Sequence, residues 1–275
     1  MKIILSVSDL SENPMKRKNP VHLQKNEPMN IRPYIPNAFT TLNLISGLVS
    51  INFILEGQFV PASLAIFLAA IFDFLDGNAA RLLKAYSELG KQLDSLADMV
   101  SFGVAPGLLI FRMISVYCEG GCNILEQYHI TPYFALLIPV CSAFRLAKFN
   151  IDLRQSVNFI GLPTPANAMF FASIPLVVYH QPGLAALIPL DFMVDFLSNN
   201  RVLSILAVFF SYLLVSDMKL YSMKFRNMHW KGNELRYITL AGSVIMAGLF
   251  SLYALPLIII FYLLLAAFFQ GLISD

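Results

Sequence analysis

The chain has 275 residues, 57% of them apolar and only 13% charged, with a mean hydropathy of +0.66. That balance excludes a water-soluble globular enzyme, which carries more charge and less apolar side chain. The net charge of +2, from 19 Lys and Arg against 17 Asp and Glu, is too slight to call for a nucleic-acid partner, and what informs is where the basic residues fall.

Residues 1–29 are expected to form a flexible extension. The apolar stretch Met1–Val7 is too brief for a signal peptide, and Met15 opens a second plausible start, Met-Lys-Arg-Lys. Asn30 to Asn37, with two prolines, Arg32 and Tyr34, reads as an interfacial lead-in. A hydrocarbon core about 30 Å thick takes about 20 helical residues per crossing. Eight apolar runs follow: 40–55, 60–75, 93–116, 132–149, 163–179, 202–216, 237–253 and 255–273. The last two are separated by Ala254 with Pro256 just beyond, and form either a tight hairpin or one long bent helix. Gly183–Leu190 is too short to cross and is expected at the interface.

With eight crossings, every Lys and Arg except Arg112 and Arg201 falls on one side. The positive-inside rule makes that side cytoplasmic, with both termini there. The expected fold class is an all-α polytopic transmembrane bundle, divided into the extension 1–29, a core 30–216, a basic cytoplasmic loop 217–236 and a C-terminal pair of spans 237–275. Lys219 to Lys231, with Trp230, is expected to lie on anionic headgroups. Asp191 and Asp195 read as solvated loop charges. Cys118, Cys122 and Cys141 lack metal-site spacing; an optional Cys118–Cys122 loop disulfide is the alternative to plain structural thiols.

Ionisable residues inside apolar spans are costly and mark function. Asp73 and Asp76 stand at i and i+3 near the end of the second span, and Asp94 and Asp98 at i and i+4 at the start of the third. Each spacing puts both carboxylates on one helix face, and the Gly77–Gly90 connection is expected to be a short loop that makes the two helices antiparallel neighbours. Four converging anions require cations. Their hard oxygens suit Mg²⁺ or Mn²⁺, and four carboxylates suffice for a two-metal site completed by phosphate oxygens and water. Gly77 permits close backbone approach, Arg81 can fork onto a phosphate and Ser87 adds a hydroxyl. A helix-end charge network with Arg81, Lys84 and Lys91 is the bland alternative; an ion-coupled transporter is the alternative of another class, although its acids would stand nearer the midplane.

The pattern Asp73-x2-Asp76-Gly77-x2-Ala80-Arg81-x8-Gly90-x3-Asp94-x3-Asp98 resembles the signature of the CDP-alcohol phosphatidyltransferases at every fixed position. Eight fixed letters arise by chance at on the order of 10⁻¹⁰ per start position. The resemblance implies an enzyme that moves a phosphatidyl group from CDP-diacylglycerol to an alcohol and releases CMP. It implies a six-helix core, here followed by about two extra C-terminal helices, often as a homodimer in a bacterial inner membrane. It implies Asp73, Asp76, Asp94 and Asp98 as metal ligands, Asp98 also as general base, and Asn37, Gly77, Arg81 and Ser87 as contacts to the CDP-lipid. The stretches Ile35–Gly47, Leu93–Pro106, Phe144–Asn150 and Gly161–Ala166 resemble the branch whose alcohol is L-serine. Arg145 is then the first candidate for the serine carboxylate, with Lys148 and Asn150 behind it. Lys148 stands where Arg is usual, keeping the charge and losing the bidentate fork. Glycerol 3-phosphate and inositol phosphates are the rival acceptors. Headgroup anchoring is the other reading of Arg145 and Lys148, and helix-entry punctuation that of Gly161–Ala166.

Overall fold

A computed structural model describes residues 34–85, 87–117, 130–151, 159–179, 191–221, 230 and 232–269. The interfacial reading of 183–190, both loop cysteines, Arg154 and most of the basic stretch lie outside these residues. Helix α1 is Tyr34–Leu55, α2 is Phe59–Leu83 and α3 is Glu88–Asp98. A π-helical turn, Met99–Val104, joins α3 to α4, Ala105–Tyr117. A 3₁₀ segment, Thr131–Leu136, enters α5, Leu137–Ile151. There follow α6, Thr164–Val178; α7, Asp191–Ser198; α8, Asn200–Val215; α9, Glu234–Phe250; and α10, Ala254–Phe268. The strands β1, Phe159–Ile160, and β2, Lys219–Leu220, pair antiparallel.

The first helix shows what kind of solvent the bundle meets. Its buried side carries Thr40, Asn43, Ser46, Gly47 and Ser50, while Leu42, Ile45, Leu48 and Val49 point outward. Polar groups turned inward and leucines turned outward are the arrangement a hydrocarbon solvent rewards. Small residues then let helices close together. α2 buries Ala62, Ser63, Ala65 and Ala69, and Ser50 Oγ donates to Ala62 O at 2.9 Å. A Cβ on Gly47 would stand 2.9 Å from Ser101 Cα, so only glycine admits the π-helical turn against α1. Phe102, Phe170, Phe171 and Ile110 fill the centre.

The chain is an integral membrane protein of all-α class. Five described segments are long and apolar enough to cross a bilayer, and a sixth arises if Phe192–Ser198 and Asn200–Val215 form one span bent by 77°. By length alone the eight expected apolar runs give five or six full-length segments, the last two runs lying within one of them. α6 has 15 residues, about 22 Å at 1.5 Å per residue, and falls short of a ~30 Å core. Asp191 and Asp195 belong to the short helix α7 rather than to a loop. Glu234–Phe268 is one apolar stretch of 35 residues, broken at Ser251, whose φ is 52°. A Cβ on Gly242 would lie 2.5 Å from Phe261 Cε1. Residues 19 apart can touch this way only if the chain doubles back, so α9 and α10 are a hairpin and the bent-helix alternative is discarded.

Two boundaries also move. The lead-in is helical from Tyr34, with Pro36 in the first turn, where a missing N–H costs nothing. α2 continues through Gly77 to Leu83, because Ala79, Ala80, Arg81 and the leucines after them are strong helix formers that carry a single glycine. The expected loop of 77–90 shrinks to the connection between Leu83 and Glu88. It opens at Lys84, a left-handed C-cap with φ 50°, and closes at Ser87, whose Oγ accepts from Gly90 N at 3.0 Å as the N-cap of α3.

Candidate active site

The short α2–α3 connection makes these helices neighbours and brings one carboxylate oxygen each of Asp73, Asp76 and Asp94 within 4.8 Å of one another. Asp76 and Asp94 are desolvated to different degrees, Asp76 being buried and Asp94 half-buried. Asp94 Oδ1 is shut away from solvent and has no hydrogen-bond partner. An orphaned carboxylate oxygen is costly unless something positive completes it. Three converging carboxylates, one of which carries an unsatisfied oxygen, fit a divalent cation of the Mg²⁺ or Mn²⁺ kind. Asp98 stands one turn further along α3, buried and outside this trio, its Oδ1 accepting from Asn43 Nδ2 at 3.1 Å.

Helix α1 sets the orientation of two of the acids. Thr40 Oγ1 donates to Asp76 Oδ2 at 2.8 Å, Asn43 serves Asp98, and the Asn43 carbonyl is in turn held by Ser101 Oγ at 3.0 Å. Such partners fix carboxylate rotamers before any ligand arrives. The motif lies on α2 and α3 only, so Thr40 and Asn43 were not among the sequence candidates. Their signal was present in the run: polar residues at helical spacing within an apolar span ask for an inward partner.

Beside the trio opens a cavity of about 460 Å³ between α1, α2 and α3, with Phe149 of α5 also on its wall. Asn37, Gly77, Arg81 and Ser87 all line it, as do Asp76 and Asp94. The four CDP-lipid candidates thus share one wall system. Beyond its own helix turn, no atom of the described residues comes within 4 Å of where a Gly77 Cβ would stand, so the missing side chain keeps that wall open toward the cavity. Arg81 is held by Nε to Gly77 O at 2.9 Å and by Nη2 to Asn78 Oδ1 at 2.8 Å. Gly90 has the opposite reason for being glycine: a Cβ there would meet Asn37 Oδ1 at 2.8 Å and Ser87 Oγ at 2.9 Å.

The three acceptor candidates are not among the residues that line that cavity, although Phe149, on the same helix, is. Arg145 is 8% exposed, stacked over the Phe149 ring at 5.9 Å, with Nε lacking a partner. Its burial removes the headgroup-anchor reading for this residue. Asp98 lies within electrostatic range of it. Lys148 is half-exposed and pairs with Asp217 at 2.9 Å. Asn150 Nδ2 donates to Ser95 Oγ on α3 at 2.9 Å, tying the end of α5 to the acidic helix.

Comparison with known proteins places the chain among enzymes of one kind. The chain is 37% identical over 186 residues to a CDP-diacylglycerol--serine O-phosphatidyltransferase of Bacillus subtilis (strain 168), covering 68% of this chain and 89% of that one. It is 40% identical over 143 residues to the protein of the same name from Mycobacterium leprae (strain TN), covering 49% of this chain and 44% of the mycobacterial one. It is 32% identical over 167 residues to an archaetidylserine synthase of Methanothermobacter thermautotrophicus (strain ATCC 29096), covering 60% and 67%. Nothing in these relatives supports the transporter reading. The profile of the CDP-alcohol phosphatidyltransferases matches residues 33–213, a stretch that holds Asp73, Asp76, Asp94 and Asp98, and the chain belongs to that family.

Proposed function

We propose that this protein transfers the phosphatidyl group of CDP-diacylglycerol to the hydroxyl of L-serine, giving phosphatidylserine and CMP. The observation that carries the reading is the convergence of Asp73, Asp76 and Asp94 on one point beside a cavity lined by Arg81 and Asn37. The names of the relatives supply the acceptor.

In this reading Asp73, Asp76, Asp94 and, on its α3 side, Asp98 would hold Mg²⁺ or Mn²⁺, whose charge would offset that of the diphosphate and of the departing CMP. Arg81, already anchored at two nitrogens, presents its remaining N–H groups to a phosphate, and Asn37 and Ser87 bind the cytidylyl end. The serine hydroxyl oxygen bonds to the phosphorus that carries diacylglycerol. The bond from that phosphorus to CMP breaks, its electron pair leaving on the CMP phosphate. An alcohol with a pKa far above 7 needs its proton removed as it attacks, and Asp98 takes it. Arg145, buried and with one N–H unpaired, receives the serine carboxylate. Residues 30–216 form the catalytic unit, with the site facing the cytoplasm of a bacterial inner membrane and two copies forming a dimer.

The test is CMP release by detergent-purified protein given CDP-diacylglycerol and Mg²⁺ or Mn²⁺, with L-serine, glycerol 3-phosphate and inositol phosphates offered separately. Serine-dependent CMP with a phosphatidylserine product is expected, and EDTA should abolish it. CMP released only with another alcohol overturns the choice of acceptor, and none with any alcohol overturns the reaction.

A further inference from the structure

The hairpin α9–α10 lies beyond residue 213, where the family match ends, yet it is wired by hydrogen bonds to the acceptor side of the site. Tyr262, on α10, donates to the backbone carbonyl of Tyr221 at 3.0 Å, and the two rings meet edge to face at 5.0 Å. The Tyr221 hydroxyl is bonded to Thr239 on α9 at 2.5 Å. Both helices of the hairpin therefore grip one residue. That residue directly follows β2, and β2 holds β1 in register, Phe159 against Leu220.

The hold continues into the segment that enters α6. Gly161 N donates to Met218 O at 2.9 Å and Leu162 N to Leu213 O at 3.0 Å. From the same 213–221 segment Asp217 reaches across to Lys148. One short stretch thus fixes the Gly161–Pro163 entry and the Lys148 end of α5, and it is itself held by two phenols. Tyr262 is also within electrostatic range of Arg145.

We infer that the C-terminal hairpin braces the alcohol-acceptor side of the site, with Tyr262 and Tyr221 as positioning residues that hold β2, β1 and α5 in place for serine. The inference rests on the reading of Arg145 and Lys148 as acceptor residues. It separates the two substrates: the CDP-lipid cavity is lined by α1, α2, the α2–α3 connection and α3, with Phe149 as its single wall residue from α5 and no wall residue from the hairpin, whereas the serine side is tied to the hairpin directly.

The test compares steady-state constants of the full-length protein with those of Tyr262→Phe, which deletes one hydroxyl and keeps the ring. The KM for L-serine should rise about fivefold to tenfold, the equivalent of one ordinary hydrogen bond. The KM for CDP-diacylglycerol should stay within about twofold. Thr239→Val, which frees Tyr221 from the other helix, should shift the serine constant in the same direction. Leu264→Ala, on the outward face of α10, serves as the control and should shift neither. An unchanged serine KM in both Tyr262→Phe and Thr239→Val, or an equal rise for both substrates, overturns the brace. If wild-type protein makes CMP with another alcohol instead of serine, the acceptor assignment fails, and the same split measured for that alcohol still decides the brace.

Discussion

Asp98 and Gly90 show how one residue's surroundings decide its role. Asp98 is 9% exposed, is not among the residues that line the open cavity, and is the acid of the motif within electrostatic range of Arg145. Asp98→Asn keeps the size and the Asn43 contact while removing the proton acceptor. The turnover number should fall about 10²-fold to 10⁴-fold, the usual contribution of a positioned general base, while photo-crosslinking to CDP-diacylglycerol persists. Wild-type turnover would remove Asp98 from the base role. Gly90→Ala acts on the other substrate. The added methyl collides with Asn37 Oδ1 and Ser87 Oγ, so one of them must move, and either displacement disturbs the lipid wall. The KM for CDP-diacylglycerol should increase several-fold with that for serine little changed, the converse of the Tyr262→Phe pattern.

At the scale of elements, the acceptor side depends on a two-residue strand pair that has little stability alone. Gly161 sits at its edge with φ +76°, and a Cβ would stand 2.6 Å from Leu214 O. Gly161→Ala therefore combines left-handed strain with a collision against backbone. A melting transition lowered by the equivalent of roughly 1–3 kcal/mol is expected in detergent, together with weaker serine use. Much of this organisation was legible in the sequence. Apolar runs marked the helices, and of the four acids whose spacing led us to expect convergence Asp73, Asp76 and Asp94 meet, while Asp98 stands outside that trio. The strand pair was not legible, since Phe159–Ile160 and Lys219–Leu220 carry no alternation long enough to register and exist through long-range pairing. α2 outruns the apolar stretch that marked it, since that stretch stops at residue 75 while Ala79, Ala80, Arg81 and the leucines after them are helix formers without being an apolar run. The support from Thr40 and Asn43 was hidden for another reason: a hydrogen bond between residues 36 or 55 positions apart leaves no mark on local spacing.

For the molecule as a whole, the ends of the bundle differ in charge, and that difference should decide how it sits in the membrane. Arg81, Lys84 and Lys91 flank the acidic end at the α2–α3 connection, whereas the α1–α2 connection, Glu56–Gln58, carries one acid and no base. Retaining cationic loops in the cytoplasm is favoured during insertion, so the cavity should open there, on the side where a water-soluble amino acid and a cytidine nucleotide are exchanged. Two cysteine substitutions read this directly, in a chain whose Cys118, Cys122 and Cys141 are replaced by serine. Glu56→Cys lies in the α1–α2 turn, and Glu88→Cys lies in the exposed first turn of α3. A membrane-impermeant maleimide added to spheroplasts should label Glu56→Cys at once and Glu88→Cys only after permeabilisation. The reverse pattern would place Asp76, Asp94 and Arg81 on the outer face, and the basic residues around them would then have to be retained as phosphate ligands against the insertion bias rather than with it.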